Sequence, residues 1–186
     1  MNKFTLLNQQ TVLYAHVFNV QKVNFRLPDG REHTYDLVDH PNAVTLLPIN
    51  AQGEVYFVSQ YRVGANDLLL ELPAGVMDEG EEPAASARRE LREEIGMDCG
   101  TLILLGGFYM AAGYSNEYMN VFLAMDLHPA PLQQDEDEFL ELTSHPLSQV
   151  YQKAWAGEIK DGKTLATLLM ALPEVLKRFP DLRANL

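Results

Sequence analysis

The chain of 186 residues has a single cysteine, Cys99, and far fewer basic than acidic residues. One cysteine excludes an intrachain disulfide, favours a cytoplasmic location, and fits a small side chain of the core. The 14 lysines and arginines against 26 acidic residues give a net charge of −12, which disfavours a broad nucleic-acid-binding surface. No apolar run approaches the ~18 residues of a membrane span. The first ten residues also lack the apolar core of a signal peptide, so we expect a cytoplasmic protein without a membrane partner.

The order of the apolar and turn-forming segments predicts the fold class. Strand-like segments fill much of residues 11–127 around one helical segment, and helical segments follow at 147–157 and 163–172. Pro173 is expected to end or kink the last helix. Strands first and helices last predict a mixed α/β domain.

The N-terminal segment differs from the rest of the chain in composition. Residues 1–40 contain three predicted strands, 11–20, 23–27 and 31–39, and the hairpin signal Pro28-Asp29-Gly30, but too few apolar residues for a core of their own. We therefore expect an N-terminal β subdomain that packs on the main domain, residues 41–186, or on a second subunit.

Residues 75–97, GVMDEGEEPAASARRELREEIGM, divide into a loop and a helix. Pro83 suits the first helical turn, and Gly96 suits the end of the helix. Apolar residues at spacings of three and four predict its buried face: Ala84, Ala87, Leu91 and Ile95.

Glu90, Glu93 and Glu94 gather on an adjacent face of this helix, although like charges at such spacings repel each other. One interpretation is a solvated acidic face partly neutralised by neighbouring arginines. The other is a site for a hard cation such as Mg²⁺, which prefers several carboxylate oxygens and substrate phosphates as ligands.

The full spacing favours the cation site. Gly75 is followed after five residues by Glu81, after seven by Arg89-Glu90-Leu91, after one by Glu93-Glu94, and after one by Gly96. This pattern is the Nudix box without a mismatch, and the sequence resembles the Nudix hydrolases. The resemblance implies a Nudix α/β/α sandwich that uses divalent metal and water to cleave nucleoside diphosphates linked to another group.

The sequence looks closest to the ADP-ribose pyrophosphatase group within that family. Seven short pieces in order carry this similarity over nearly the whole chain: LPDGRE at 27–32, HPNAV at 40–44, SQYR at 59–62, ELPAGVMDEGE at 71–81, GYSNE at 113–117, DEDEFLEL at 135–142 and GEIKDGKT at 157–164. The resemblance implies hydrolysis of ADP-ribose to AMP and ribose 5-phosphate. It also implies a homodimer in which the N-terminal strands exchange with the partner and the active site borrows residues from both chains.

The same resemblance suggests how the metal is held. Glu90 and Glu94, one helical turn apart, are the predicted ligands of Mg²⁺ or Mn²⁺, and the backbone carbonyl of Ala74 is expected to supply another. Glu93 is expected to be an outer ligand or a base that contacts water on the metal. Arg89 is expected to orient the glutamates through charge-assisted hydrogen bonds.

The general base is expected outside the box, on the acidic loop at residues 133–138. Glu138 is the first choice because it directly precedes the strand that anchors the loop, and Glu136 is the second. The alternative is that these residues form a solvated acidic loop.

Substrate-binding residues follow from the same resemblance. Arg62 is expected to reach a phosphate or ribose, and Glu71 either accepts hydrogen bonds from sugar hydroxyls or pairs with Arg62. Gly113 belongs to the loop expected to bind the substrate. Aromatic side chains of the N-terminal strands are candidates for stacking on the base or for packing: Tyr14, Phe18, Phe25 and Tyr35.

Ala112 departs from the pattern of the ADP-ribose pyrophosphatase group, which usually has a proline at this place. Alanine leaves this loop less restricted than proline would. The chemistry is unaffected, but the substrate stays open between ADP-ribose, another nucleotide sugar such as GDP-mannose, and a dinucleotide. A nucleotide-binding Nudix domain without catalysis is the alternative from another functional class.

Overall fold

The computed structural model describes residues 3–134 and 139–185. The strands in this part of the chain are β1 (Thr5–Tyr14), β2 (Asn19–Arg26), β3 (Glu32–Asp39), β4 (Ala43–Pro48), β5 (Glu54–Arg62), β6 (Asp67–Glu71), β7 (Ala74–Val76), β8 (Met97–Tyr109), β9 (Tyr118–Pro129) and β10 (Glu141–Pro146). The helices are α1 (Pro83–Glu94), α2 (Leu147–Trp155), α3 (Gly162–Arg178) and a 3₁₀ helix (Pro180–Asn185). The predicted order of strands, one central helix and C-terminal helices is confirmed.

The chain divides into two compact units, and the first contains residues 1–42 together with 108–118. Its antiparallel sheet has the order β1-β2-β3, and the turn between β2 and β3 is closed by the N–H of Gly30 donating to the carbonyl of Leu27 over 2.9 Å. The prediction of one strand over residues 11–20 was wrong. The chain leaves β1 at Tyr14 and enters β2 at Asn19, so a short bend separates two strands.

The second unit contains residues 43–107 and 119–186, and it holds two further sheets. One has the order β7-β4-β9-β8, in which β4 and β9 run parallel, and the other has the order β10-β5-β6. All six residues of β4 are buried, as expected for a strand covered on both faces of its sheet. The mixed sheets and helices confirm the predicted α/β class.

Two apolar clusters form the core of the second unit. One packs α2 and α3 around residues such as Phe57, Leu123 and Leu168, and the other packs α1 through Ala87 and Leu91. Burial of such side chains is the main favourable contribution to folding. The second cluster fixes α1 and therefore the glutamates on its adjacent face.

The structure corrects two sequence-based expectations about the helices. Ala84 is exposed, because it lies in the first turn of α1, where Ser86 and Ala87 face the core instead. Of the two alternatives expected for Pro173, an end of α3 is wrong, because the helix continues to Arg178, whereas a kink stays a prediction. Residues on both sides of the proline are buried, so packing outweighs the loss of one backbone hydrogen bond.

No helix within residues 3–134 and 139–185 combines the length and apolar character that crossing a membrane requires.

Candidate active site

The acidic face of α1 lies at the edge of the core of the second unit. Glu90 and Glu94 are buried, with only 7% and 5% of their surface exposed, whereas Glu93 is more accessible. Carboxylates at these depths need partners, because an isolated buried charge is costly. The solvated-face interpretation therefore does not describe Glu90 and Glu94.

Arg89 forms hydrogen bonds with several groups around it. Its Nη1 donates to Glu90 Oε1 over 2.6 Å and to Glu93 Oε2 over 2.9 Å. Its Nε and Nη2 donate to the two carboxylate oxygens of Glu81 over 3.1 and 2.9 Å, and Nη2 also reaches the carbonyl of Val76 over 3.0 Å. One guanidinium thus links the acidic helix to the preceding loop.

The charges around Arg89 stabilise one another. The hydrogen bond from Arg89 lowers the pKa of the Glu81 carboxyl, and the hydrogen bond to Glu81 is the largest factor that raises the pKa of Arg89. Glu81 Oε2 also accepts from the N–H of Asp78 over 3.0 Å, so Glu81 shapes the loop before the helix.

Gly75 lets the backbone of β7 approach Glu90 very closely. A methyl group built on Gly75 would overlap with the carboxylate of Glu90, so only glycine leaves this carboxylate its place. The neighbouring N–H of Ala74 donates to Glu94 Oε2 over 3.0 Å. Pairing of β7 with β4, in register Thr45 opposite Ala74, fixes this strand.

The donor set is suited to a hard divalent cation, since it consists of carboxylate oxygens and the backbone of Ala74. Within the described residues, no three acidic, histidine or cysteine side chains are arranged so that they could hold a metal ion together. In this structure Arg89 donates hydrogen bonds to oxygens of Glu90 and Glu93, and the N–H of Ala74 donates to Glu94. A cation would compete with Arg89 for the same oxygens.

Arg62 ends β5 and Glu71 ends β6, and in the antiparallel pairing of these strands Arg62 lies opposite Asp67 whereas Glu71 lies opposite Val58. The guanidinium donates from Nε to Glu71 Oε1 over 2.8 Å and from Nη2 to Oε2 over 2.7 Å. This pairing is one of the two alternatives expected for Glu71. The pKa of Arg62 is raised mainly by this hydrogen bond and further by the charges of Asp161 and Glu94, so Arg62 lies within electrostatic reach of the acidic helix.

The remaining predicted substrate residues belong to the first unit. Gly113 lies in a loop where Ala111 accepts hydrogen bonds from the N–H groups of Tyr114 and Ser115, both over 2.9 Å, and a side chain on Gly113 would meet open space. An open groove of about 520 Å³ in this unit is lined by Ala112 and Gly113 and also by two predicted stacking residues, Phe25 and Tyr35. Their contact with a substrate stays a prediction, as does that of Tyr14 and Phe18.

Glu136 and Glu138, the two candidates for the general base, lie outside the described residues. Lys163 was missed by the sequence analysis, although it is buried and contacts Glu71. Asp161 before a helical segment is a typical helix-capping signal and could have indicated the start of α3. No local pattern could have indicated that Lys163 reaches a strand 92 residues away.

Comparison with known proteins identifies the family of this chain. The sequence profile of the NUDIX domain matches residues 39–168, which include the acidic helix, Gly75 and Arg62. The chain belongs to the NUDIX family. The predicted resemblance is thereby confirmed, and the protein is a Nudix hydrolase with the α/β fold of that family.

Similar Nudix proteins cover almost the entire chain. It is 31% identical to an ADP-ribose pyrophosphatase of Bacillus subtilis (strain 168), over 92% of this chain and 97% of that protein. It is 30% identical to a GDP-mannose pyrophosphatase of Salmonella arizonae, over 90% and 95%. A crystal structure of an ADP compounds hydrolase superposes with a TM-score of 0.82 at 30% identity, covering 94% of this chain and 95% of that one.

Proposed function

We propose that this Nudix hydrolase cleaves the diphosphate of ADP-ribose with water, giving AMP and ribose 5-phosphate, and requires Mg²⁺ or Mn²⁺. The observation that carries the proposal is the place of Glu90, whose buried carboxylate lies against Gly75 beside Glu93 and Glu94. Among soluble proteins, such a concentration of negative charge is typical of sites for divalent cations and their phosphate ligands.

The cation would be held by the carboxylates of Glu90, Glu93 and Glu94 and by the carbonyl of Ala74. Bound there, it would neutralise charge on the diphosphate and make the phosphorus more electrophilic toward water. Arg89 supports this role, since its hydrogen bonds to Glu90 and Glu93 hold both carboxylates in defined directions.

The other steps are assigned to side chains of this chain. Glu138, or Glu136 in its place, accepts a proton from the attacking water, whose oxygen forms a bond to one phosphorus while the bond to the bridging oxygen breaks. The bridging oxygen leaves on the second phosphate. Arg62 binds phosphate oxygens through Nη1, the nitrogen that is not engaged by Glu71.

ADP-ribose is proposed as the substrate because the sequence pieces of that group run through the whole chain and because a relative of that name is 31% identical. GDP-mannose is the second candidate, favoured by a relative of that name at 30% identity and by Ala112 in place of the proline usual in the ADP-ribose group. The two substrates share the diphosphate, so the proposed chemistry is the same.

A homodimer is proposed as the working form. Apolar side chains on β1 are exposed in the single chain, among them Val12, Leu13 and Tyr14. Such a surface is typical of a protein interface. The cytoplasm is the proposed location, and no contact with nucleic acid is expected at a net charge of −12.

A panel of diphosphates tests the substrate proposal. The purified chain with Mg²⁺ is incubated with ADP-ribose, GDP-mannose, UDP-glucose, NADH and diadenosine polyphosphates, and kcat/KM is measured from the released mononucleotide. The largest kcat/KM is expected for ADP-ribose, with AMP and ribose 5-phosphate as products. A larger value for GDP-mannose would reassign the substrate, and inactivity on the entire panel would favour a nucleotide-binding protein without catalysis.

A further inference from the structure

The pair of Arg62 and Glu71 continues into two further charged side chains, Lys163 and Asp161, to which no role has been assigned. Glu71 is 1% exposed and pairs with Arg62 through both oxygens. Its Oε2 also accepts from the Nζ of Lys163, in the first turn of α3, and this lysine donates to Asp161 Oδ2 over 3.0 Å. Four charged side chains from β5, β6 and the start of α3 therefore form one connected row.

The signs of these charges alternate along the row. Arg62 and Lys163 are cations, and each is followed by a carboxylate, Glu71 and Asp161. Arg62 is the accessible end, with 40% of its side chain exposed against 8% for Lys163. Because Lys163 shares the charge of Glu71, the carboxylate neutralises Arg62 only in part, and Arg62 keeps attraction for an anion.

Thr164 fixes the backbone beside the same carboxylate. Its hydroxyl accepts from the N–H of Leu72 over 2.9 Å and donates to Asp161 Oδ2 over 2.6 Å. Leu72 lies between Glu71 and the segment that leads to Ala74 and Gly75. The first turn of α3 thus holds both the side chain of Glu71 and the strand end that enters the glutamate site.

We propose that Lys163 is a positioning residue that, through Glu71, holds Arg62 in place and preserves its affinity for substrate phosphate. The inference rests on the proposed function, in which Arg62 binds the diphosphate. Burying such a row of charges gives little stability by itself, since desolvation offsets much of the attraction. A role in setting the direction and strength of Arg62 explains why Lys163 is placed there.

The test is a double-mutant cycle of Lys163 and Arg62 in the full-length protein with ADP-ribose and Mg²⁺. Lys163→Gln keeps a hydrogen-bond donor toward Glu71 but removes the charge, so it is expected to fold and to raise KM by about tenfold with kcat changed much less. Arg62→Ala is expected to raise KM at least as much. In the Arg62→Ala background, Lys163→Gln should change KM by less than about twofold, because its effect passes through Arg62.

Leu168→Ala in α3 is the matched control, because it removes a core side chain of the same helix. It should lower the melting temperature by several degrees or more and leave KM unchanged. Three results would each overturn this inference without affecting the proposed function. They are an unchanged KM for Lys163→Gln, independent effects of Lys163→Gln and Arg62→Ala that multiply in the double variant, and an equal rise in KM for Leu168→Ala. A wild-type chain that neither cleaves nor binds ADP-ribose or any other member of the panel would overturn the proposed function, and the inference with it.

Discussion

At the scale of residues, the site depends on Gly75 and Arg89. Gly75 has no side chain where Glu90 needs space, and Arg89 holds Glu81, Glu90 and Glu93 at hydrogen-bonding distance. Three carboxylates around one guanidinium leave a negative surplus, which a divalent cation would offset. The repulsion within the acidic helix is thereby reduced even in the protein alone.

Gly75→Ala should inactivate the enzyme without unfolding it. The added methyl group would displace the carboxylate of Glu90, and a displacement on the order of 1 Å at such a site can lower kcat by about 100-fold. Steady-state turnover of ADP-ribose measures this effect. Gly64→Ala is the control, because a side chain on Gly64 meets open space, and it should keep the wild-type kcat. Wild-type kcat in Gly75→Ala would contradict the assigned place of Glu90.

Glu138→Gln should lower kcat by about 100-fold and leave KM nearly unchanged, since glutamine cannot accept the proton of the attacking water. Glu136→Gln is the comparison within the same acidic loop and should have a much smaller effect. If Glu136→Gln lowers kcat instead, the two glutamates exchange roles. A near-wild-type kcat for both variants would remove the general base from this loop.

At the scale of elements, α1 could be predicted almost completely. Its start at Pro83, its end before Gly96 and its buried Ala87 and Leu91 all follow from local signals and spacing. The exposed position of Ala84 could not be predicted, because burial in the first turn depends on what packs over it.

Features of the site that depend on contacts between distant parts of the chain could not be predicted from the sequence. β7 is only three residues long and is defined by its pairing with β4, so residues 74–76 gave no strand pattern of their own. The contact between Lys163 and Glu71 depends on how α3 packs against the end of β6. The pairing of Arg89 with the glutamates could be predicted from the sequence, because its partners belong to the same helix and to the loop before it.

Two glycines at helix ends should respond to alanine with opposite signs. Gly96 follows α1 with φ +70°, so Gly96→Ala should destabilise the protein by about 1–2 kcal/mol. Gly162 is the first residue of α3, its φ lies outside the left-handed region, and a side chain there would meet open space. Gly162→Ala should therefore raise the free energy of unfolding by about 0.4–1 kcal/mol. Urea unfolding of both variants measures the difference. Equal changes in the free energy of unfolding would contradict the assigned helix ends.

At the scale of the whole molecule, the two units differ in what they contain. The second unit holds the acidic helix, Arg62 and both apolar core clusters, whereas the first holds the exposed apolar side chains of β1. The N-terminal strands are thus a part of the chain that would gain from burial in an interface. This is the physical basis for the proposed homodimer.

Light scattering coupled to gel filtration should give twice the chain mass of 20.9 kDa. Leu13→Asp places a charge among the exposed apolar residues of β1 and should shift the mass toward one chain. Leu169→Asp alters an even more exposed leucine, on α3 in the second unit, and should keep the dimer. A wild-type mass of one chain at micromolar concentration would exclude the dimer.

The central claim is that the acidic face of α1 is the metal site at which a diphosphate is hydrolysed. Its most direct test is the turnover of ADP-ribose by the wild-type chain and by Glu94→Gln, each with excess Mg²⁺ and with EDTA. Glu79→Gln, at an exposed glutamate of the preceding loop, is the control. We predict equal amounts of AMP and ribose 5-phosphate from the wild type and from Glu79→Gln, and a loss of at least about 100-fold in kcat with EDTA or with Glu94→Gln. Undiminished turnover in EDTA, or by Glu94→Gln, would contradict the claim.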